Sequence, residues 1–150
     1  MTAATNYSLR PSVARDHAEI YQVWHRSVKS THHFLTEQDF DGIALQVQND
    51  YVPHAAFTLI VDGADKPCGF MGMTDAKIDS LFIDPAHFGK GLGKMLIDFA
   101  KSKYPALAVD VNEDNNGAAA FYEKMGFKIV GRSELDDAGR PLPILHLKWN

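Results

Sequence analysis

The sequence predicts an α/β protein that forms a single domain over residues 1–150. Two observations favour this class. Runs in which every second residue is apolar, as at 57–61, are typical of strands. Runs with apolar residues three and four positions apart, as at 92–100, are typical of helices. The two kinds of run alternate along the chain without repeats or low-complexity tracts, so the expected organisation is a mixture of strands and helices.

The first half of the chain is predicted to form one strand, two helices and a hairpin. Asp16 stands where it can cap the first helix, and Thr36 stands where it can cap the second. Pro53 is expected to end that second helix, because proline cannot continue the helical hydrogen bonds. The dipeptide Asp62-Gly63 favours the turn of the hairpin. The predicted strands of this half lie at about 7–13, 57–61 and 68–74.

The second half contains a strand-to-helix connection that is unusually rich in glycine. An apolar strand runs into Asp84-Pro85, and a helix begins shortly afterwards. Further along, Gly126 is expected to stop a short helix that carries Tyr122. The remaining predicted elements are strands at about 78–83, 106–111, 127–133 and 143–149, and helices at about 92–100 and 118–125.

The glycine-rich turn favours a phosphate-bearing ligand. Gly89, Gly91 and Gly93 lie where the helix must begin, and a helix start offers unpaired backbone N–H groups and a partial positive charge. A nucleotide P-loop is excluded, because Phe88 and Met95 stand where that motif needs a glycine and a hydroxyl. The dinucleotide pattern fails in both possible registers. A glycine-rich connection without a ligand is the alternative interpretation.

Two segments together resemble the GNAT family of N-acetyltransferases. Gly91 and Gly93 match the glycines of the family's pyrophosphate loop, in which Phe88 replaces the usual Arg or Gln. The resemblance covers nearly the whole chain, and the segments THHFL at 31–35 and 111–149 are similar to the bacterial YjaB-type acetyltransferases in particular. The family's second signature is matched by Asn115, Ala118, Tyr122, Gly126 and Phe127.

The resemblance implies a fold, a cofactor and a set of binding residues. The implied fold is a twisted, mixed sheet of about seven strands flanked by about four helices, and the implied cofactor is acetyl-CoA. A backbone N–H on the strand at 81–83 is implied to stabilise the oxyanion of the thioester carbonyl. The residues implied to contact the cofactor are Leu81, Phe82, Ile83, Phe88, Gly89, Lys90, Gly91, Leu92, Gly93, Lys94, Asn115 and Tyr122.

The resemblance also implies direct transfer of acetyl to a primary amine. Tyr122 matches the tyrosine that serves as general acid toward the departing thiolate, although a core tyrosine would show the same helical periodicity. The general base stays open, because Lys77 stands where many family members have a glutamate. Asp79 is one candidate, and His32 and His33 are others whose intrinsic pKa values suit a base.

Composition restricts the setting and the partners. A net charge of −4 argues against a nucleic-acid surface, and the lone Cys68 fits a reducing, cytoplasmic compartment. No segment resembles a signal sequence or a membrane span, and the histidine spacing does not suit a metal. The expected acceptor is a small-molecule amine or an amino group of a protein, and the expected assembly is a monomer or homodimer. A non-catalytic acyl-CoA-binding or sensing module is the alternative function.

Overall fold

The computed structural model describes residues 6–150, which form a seven-stranded sheet. Across the sheet the strands follow the order β1-β2-β3-β4-β5-β7-β6, with the numbering running along the chain. Every pair of neighbours is antiparallel except β4 and β5, which run parallel. The strands are β1 (Ser8–Pro11), β2 (Phe57–Val61), β3 (Pro67–Thr74), β4 (Lys77–Ile83), β5 (Leu107–Asn112), β6 (Lys128–Ser133) and β7 (Ile144–Trp149).

Four α-helices join these strands in the predicted order, which confirms the α/β class and the mixed sheet. Each helix buries a stripe of apolar side chains. Helices α1 and α2 contribute to one hydrophobic core, and α3 and α4 contribute to a second one. Strands β2 and β3 supply side chains to both cores, so the sheet lies between them. The helices are α1 (His17–Thr31), α2 (Glu37–Gln46), α3 (Leu92–Lys103) and α4 (Asn116–Lys124).

The helix starts and ends differ in part from the predictions. Thr36 caps α2 as predicted, since its side chain accepts a hydrogen bond from the Asp39 N–H at 3.1 Å. Asp16 precedes α1, but its carboxylate does not cap that helix. It accepts hydrogen bonds from the Arg10 guanidinium at 2.9 and 3.0 Å instead, and from the Val13 N–H at 2.8 Å. The expected cap was therefore wrong, because a buried ion pair uses the same oxygens.

The second helix also ends differently. The regular turns of α2 stop at Gln46, and the chain continues through a wider π-helical turn at Val47–Tyr51 and a tighter 3₁₀ turn at Val52–His54. Pro53 therefore lies inside the last turn rather than after it. Its missing N–H costs nothing there, because the first residues of a helical turn have no internal acceptor.

A β-bulge interrupts the pairing of β3 with β4. Gly72 lies opposite Ser80 and Met73 lies opposite Ile78, so Asp79 has no partner on β3. An extra residue in one strand shifts the alternation of its side chains by one position. The side chains after it therefore lie on the opposite face from the one that regular alternation would give. Ile78 packs into the core beside α3, whereas the Ser80 hydroxyl reaches the Tyr51 hydroxyl on the opposite side at 2.7 Å.

The parallel pair β4 and β5 separates after two residues. Their ladder contains only Lys77 opposite Ala108 and Ile78 opposite Val109. The rest of β4 pairs with β3 on one side and faces an opening on the other. Within residues 6–150, no helix combines the length and apolar character that crossing a membrane requires.

Candidate active site

The opening between β4 and β5 leads into a cleft of about 590 Å³. Four parts of the chain form its walls: the end of α1, the end of β4, the glycine loop with the start of α3, and one side of α4 with the residue before it. Its lining includes Thr31, His32, Leu81, Phe82, Ile83, Phe88, Gly89, Gly91, Leu92, Gly93, Lys94, Asn115, Phe121, Tyr122 and Lys124. The structure therefore brings together most of the residues that the sequence predicted to bind the cofactor.

The start of the glycine loop is held by a buried carboxylate. Asp84 ends β4 with only 7% of its surface exposed, and its side chain accepts a hydrogen bond from the Ala86 N–H. The Arg26 guanidinium on α1 donates to the same carboxylate at 2.6 and 3.0 Å and also donates to Glu19. Burial works to raise the pKa of Asp84, but the hydrogen bonds from Arg26 and the Ala86 N–H outweigh it and lower the pKa. The loop is thus anchored to α1 by charge.

The structure requires glycine at the three positions of the loop for two different reasons. Gly89 and Gly91 both adopt a φ of +77°, which side chains rarely tolerate, and the space beside their Cα atoms is open. Gly93 has ordinary helical geometry, but a Cβ there would lie 3.1 Å from Cζ of Phe121 on α4. The first two glycines shape the turn, and Gly93 permits close packing of α3 on α4.

The first turn of α3 presents backbone donors to the cleft. Gly91 precedes the helix without any side-chain cap, so the N–H groups of Leu92, Gly93 and Lys94 have no acceptor among the described residues. Lys94 lines the cleft, and its ammonium donates to Asp98 at 2.7 Å. Lys90 lies elsewhere, because its ammonium donates to the Tyr7 hydroxyl at 3.3 Å. Free N–H groups, open space and a partial positive charge fit a pyrophosphate.

Tyr122 lies on α4 and closes the inner end of the cleft. Only 5% of its surface is exposed, but its hydroxyl is not a fully buried group without a partner within residues 6–150, so the oxygen still reaches the cleft that Tyr122 lines. Burial raises the pKa of Tyr122, so the phenol keeps its proton at neutral pH. Its ring packs edge-on against Phe121 and Phe127, which hold it in place. The hydroxyl is therefore a fixed, protonated donor.

One edge of β4 at 81–83 has no partner strand, and this edge faces the cleft that Tyr122 lines. Each of these residues has a partner on β3, and the separation of β5 leaves the other edge free. Backbone N–H groups alternate between the two edges of a strand, so at least one of three successive N–H groups points toward the cleft. Leu81, Phe82 and Ile83 all line it. A carbonyl oxygen bound there would meet a backbone donor.

His32 enters the cleft from the end of α1 in a defined tautomer. The Thr31 hydroxyl donates its single proton to the Ser27 carbonyl at 2.8 Å, so its oxygen must accept from Nδ1 of His32, also at 2.8 Å. Nε2 is then the unprotonated nitrogen, and it lies 3.4 Å from the Asn115 amide nitrogen. The oxygen of that amide accepts from the Ala118 N–H, which fixes the direction of the amide.

The imidazole of His32 is uncharged at neutral pH. Burial, and to a lesser extent the neighbouring charge of His33, lowers its pKa from 6.5 to about 4. Its ring centre lies 5.2 Å from that of Phe34 and 6.3 Å from that of Phe82. His32 therefore offers a lone pair, not a positive charge, to anything bound in the cleft.

The two other candidate bases lie outside this cleft. Asp79, the extra residue of the bulge, accepts a hydrogen bond from the Thr74 hydroxyl at 2.5 Å and lines a separate depression with Tyr51. Its expected position on the same strand face as Lys77 stays a prediction. His33 is exposed in the loop after α1. The structure does not bring either residue together with Tyr122.

Several lining residues carried no signal in the sequence. Thr31 belongs to an ordinary helix end, and Lys124 is one of many exposed lysines. The ion pair of Arg26 with Asp84 joins residues 58 positions apart. Only the fold makes these residues neighbours, and no local motif indicates them.

Comparison with known proteins agrees with this geometry. A model of the acetyltransferase (GNAT) domain family matches residues 53–129. The chain is 41% identical over 140 residues to the peptidyl-lysine N-acetyltransferase YjaB of Salmonella typhimurium, which covers 93% of this chain and 96% of that protein. The solution structure of apo-form YjaB from Escherichia coli superposes with a TM-score of 0.90 at 40% identity, covering 95% of this chain and 97% of that one.

A more distant structure has the same fold. The PaiA N-acetyltransferase from Thermoplasma acidophilum, solved in complex with coenzyme A, matches with a TM-score of 0.77 at 16% identity over 97% of this chain and 99% of that one. The family model spans half of the chain, and the YjaB proteins match nearly all of it. The resemblance seen in the glycine loop and the Tyr122 helix is thereby confirmed, and the chain belongs to the GNAT family of N-acetyltransferases.

Proposed function

We propose that this N-acetyltransferase moves an acetyl group from acetyl-CoA directly to the amino group of a lysine side chain in a protein. One observation carries the proposal. A single cleft has free backbone N–H groups at the start of α3 on one side and the Tyr122 hydroxyl at its inner end. The lysine acceptor is supported by the YjaB proteins, which are named peptidyl-lysine N-acetyltransferases.

The cofactor end of the cleft is assigned to the glycine loop. The N–H groups of Leu92, Gly93 and Lys94 bind the pyrophosphate, and the left-handed turns at Gly89 and Gly91 bring the backbone close to it. Acetyl-CoA supplies an activated thioester when it is bound. The free edge of β4 at 81–83 supplies a backbone N–H to the carbonyl oxygen, where negative charge develops.

Tyr122 is assigned to the sulfur that leaves. Burial raises the pKa of Tyr122, so the phenol keeps its proton. The hydrogen bond that it donates is strengthened by the negative charge developing on the thiolate. Because the phenol keeps its proton, it stabilises the negative charge on the sulfur mainly through this hydrogen bond. Complete transfer of the proton would be uphill, because a thiol has a pKa of about 8.5.

The amine end is assigned to His32. A lysine amine has a pKa of about 10.4 and reacts only when it is neutral. Nε2 of His32 carries one lone pair, and Thr31 fixes the ring. The neutral amine takes the place of the long 3.4 Å contact from the Asn115 amide, donates a hydrogen bond to Nε2 and is thereby oriented. An imidazole with a pKa of about 4 is a weak base, which makes orientation its main contribution. The rate should therefore rise with pH as more amine becomes neutral.

Binding and turnover test the proposal separately. Acetyl-CoA should raise the melting temperature and give a saturable isotherm, with CoA, ATP and NAD as comparison ligands. Incubation with lysine-containing peptides should then release free thiol and add acetyl to the peptide mass. Failure of acetyl-CoA to bind would refute the cofactor, whereas binding without transfer to any amine would favour a sensing module.

Removing one oxygen atom tests the role of Tyr122. Tyr122→Phe should keep the affinity for acetyl-CoA and lower kcat by roughly 10²- to 10³-fold, the range expected when one hydrogen-bond donor to a developing charge is removed. Tyr104→Phe is the matched control, because that ring packs on the same core without lining the cleft. An unchanged kcat in Tyr122→Phe would show that the tyrosine is only part of the core.

A further inference from the structure

Phe88 is a solvent-exposed apolar side chain at the mouth of the cleft. It follows the short turn Pro85–His87, and 44% of its surface is exposed. The Phe88 N–H bonds to the Pro85 carbonyl at 3.3 Å, so the turn fixes its backbone. Among residues 6–150, no aromatic ring stacks on Phe88 and no cation lies over it. Its ring lines the cleft, which leaves a flat apolar face free beside the glycine loop.

The cations at this end of the cleft are few and weakly placed. Lys94 shares its charge with Asp98, and Lys90 is drawn to Tyr7. Lys124 lines the cleft from the end of α4 and is exposed. Among the described residues no arginine lines the cleft, so no guanidinium clamps a pyrophosphate there. Backbone N–H groups hold the phosphates instead, and the free ring of Phe88 offers a further contact beside them.

A flat ring beside a phosphate site suits a purine. The pyrophosphate of CoA joins the pantetheine arm to adenosine, so the base lies beyond the phosphates on the side away from the thioester. Phe88 is exposed at the mouth, whereas Tyr122 is buried at the inner end. Aromatic side chains stack on bases through their π faces, and this contact is worth about 1–3 kcal/mol per base.

We propose that Phe88 stacks on the adenine ring of CoA and that this contact replaces the missing arginine clamp. The inference rests on the proposed function, since it concerns the same cofactor. It makes the adenosine end of the ligand a main determinant of affinity. Donors that carry only the pantetheine arm and one phosphate should consequently bind much more weakly than acetyl-CoA.

Measuring the binding of two ligands to two forms of the protein tests the contact between Phe88 and adenine. Dissociation constants are measured for acetyl-CoA and for S-acetyl-4′-phosphopantetheine, which lacks adenosine, with wild type and Phe88→Ala. We expect Phe88→Ala to weaken the binding of acetyl-CoA by roughly 5- to 150-fold, the equivalent of one stacked base. The affinity for the truncated ligand should stay within about twofold of wild type. Phe88→Leu is the matched control that keeps apolar volume and removes the ring, and it should behave like Phe88→Ala.

Phe88→Trp adds a signal that a purely structural role would not produce. An indole stacked on adenine should lose fluorescence when acetyl-CoA binds and should not respond to the truncated ligand. Because the side chain is exposed, all three variants should melt close to wild type without ligand. Equal weakening of both ligands, or no weakening of either, would overturn the inference. Absence of binding by wild type would overturn the proposed function itself, which is a distinct result.

Discussion

The histidine in the cleft should make the protein less stable in mild acid. Burial lowers the pKa of His32 from 6.5 to about 4, so the unfolded chain takes up a proton before the folded one does. Between those two pH values the unfolded state binds more protons, and the free energy of unfolding therefore falls as the pH falls. Stability from this source is complete above pH 6.5 and is lost progressively down to about pH 4.

The size of the effect follows from the same shift. A change of one pKa unit corresponds to about 1.4 kcal/mol, so the full shift corresponds to roughly 3 kcal/mol. Between pH 7 and pH 5 the loss from His32 alone should be about 2 kcal/mol. This is a large part of the stability of an ordinary domain, which is about 5–15 kcal/mol.

Urea unfolding of wild type and His32→Asn between pH 7 and pH 5 measures this quantity directly. Asparagine does not titrate, so the curve for the variant should fall by about 2 kcal/mol less over this range. His33→Asn is the control for the same substitution at an exposed position in the same loop. Parallel curves for wild type and His32→Asn would refute the reasoning, because they would mean that His32 can be protonated in the folded protein without penalty.

Three other substitutions test the anchoring of the glycine loop, each by urea denaturation. Gly93→Ala should cost about 1–3 kcal/mol through its contact with Phe121, and Phe121→Leu should relieve that cost. Gly91→Ala should cost about 1–2 kcal/mol through its positive φ, and Phe121→Leu should leave that cost unchanged; equal relief at both positions would contradict the two causes. Arg26→Met should cost about 1–3 kcal/mol, because it leaves the buried carboxylate of Asp84 without its ionic partner. Adding Asp84→Asn should recover part of that loss, and no recovery would show that the pair is not the cause.

Local patterns were sufficient for the strands and helices of this chain. Apolar spacing depends only on neighbours along the sequence, and the seven strands and four helices appear in the predicted order. The glycine loop was equally readable, because left-handed turns at Gly89 and Gly91 require glycine regardless of the rest of the fold. The cap by Thr36 was predicted for the same reason, whereas the cap by Asp16 failed because Arg10 competes for its carboxylate.

The end of the cleft near His32 was much less predictable. His32 and His33 are adjacent and chemically identical, and the sequence offered no basis for choosing between them. The structure places His32 against Asn115, which is 83 residues away, and leaves His33 in water. Asp79 is the extra residue of the bulge opposite Gly72 and Met73, and no local pattern in the sequence indicated that bulge.

The sequence by itself determined the family, the order of the elements and the glycine-rich turn of the loop, because each depends on residues that are close along the chain. The tertiary structure alone decided which side chains share the cleft. It separates β4 from β5 beyond Ile78, packs α4 on α3 through Gly93 and brings the end of α1 to the start of α4. Those contacts arise from two cores packing on opposite faces of one sheet, and packing between distant segments leaves no periodic signal in the sequence.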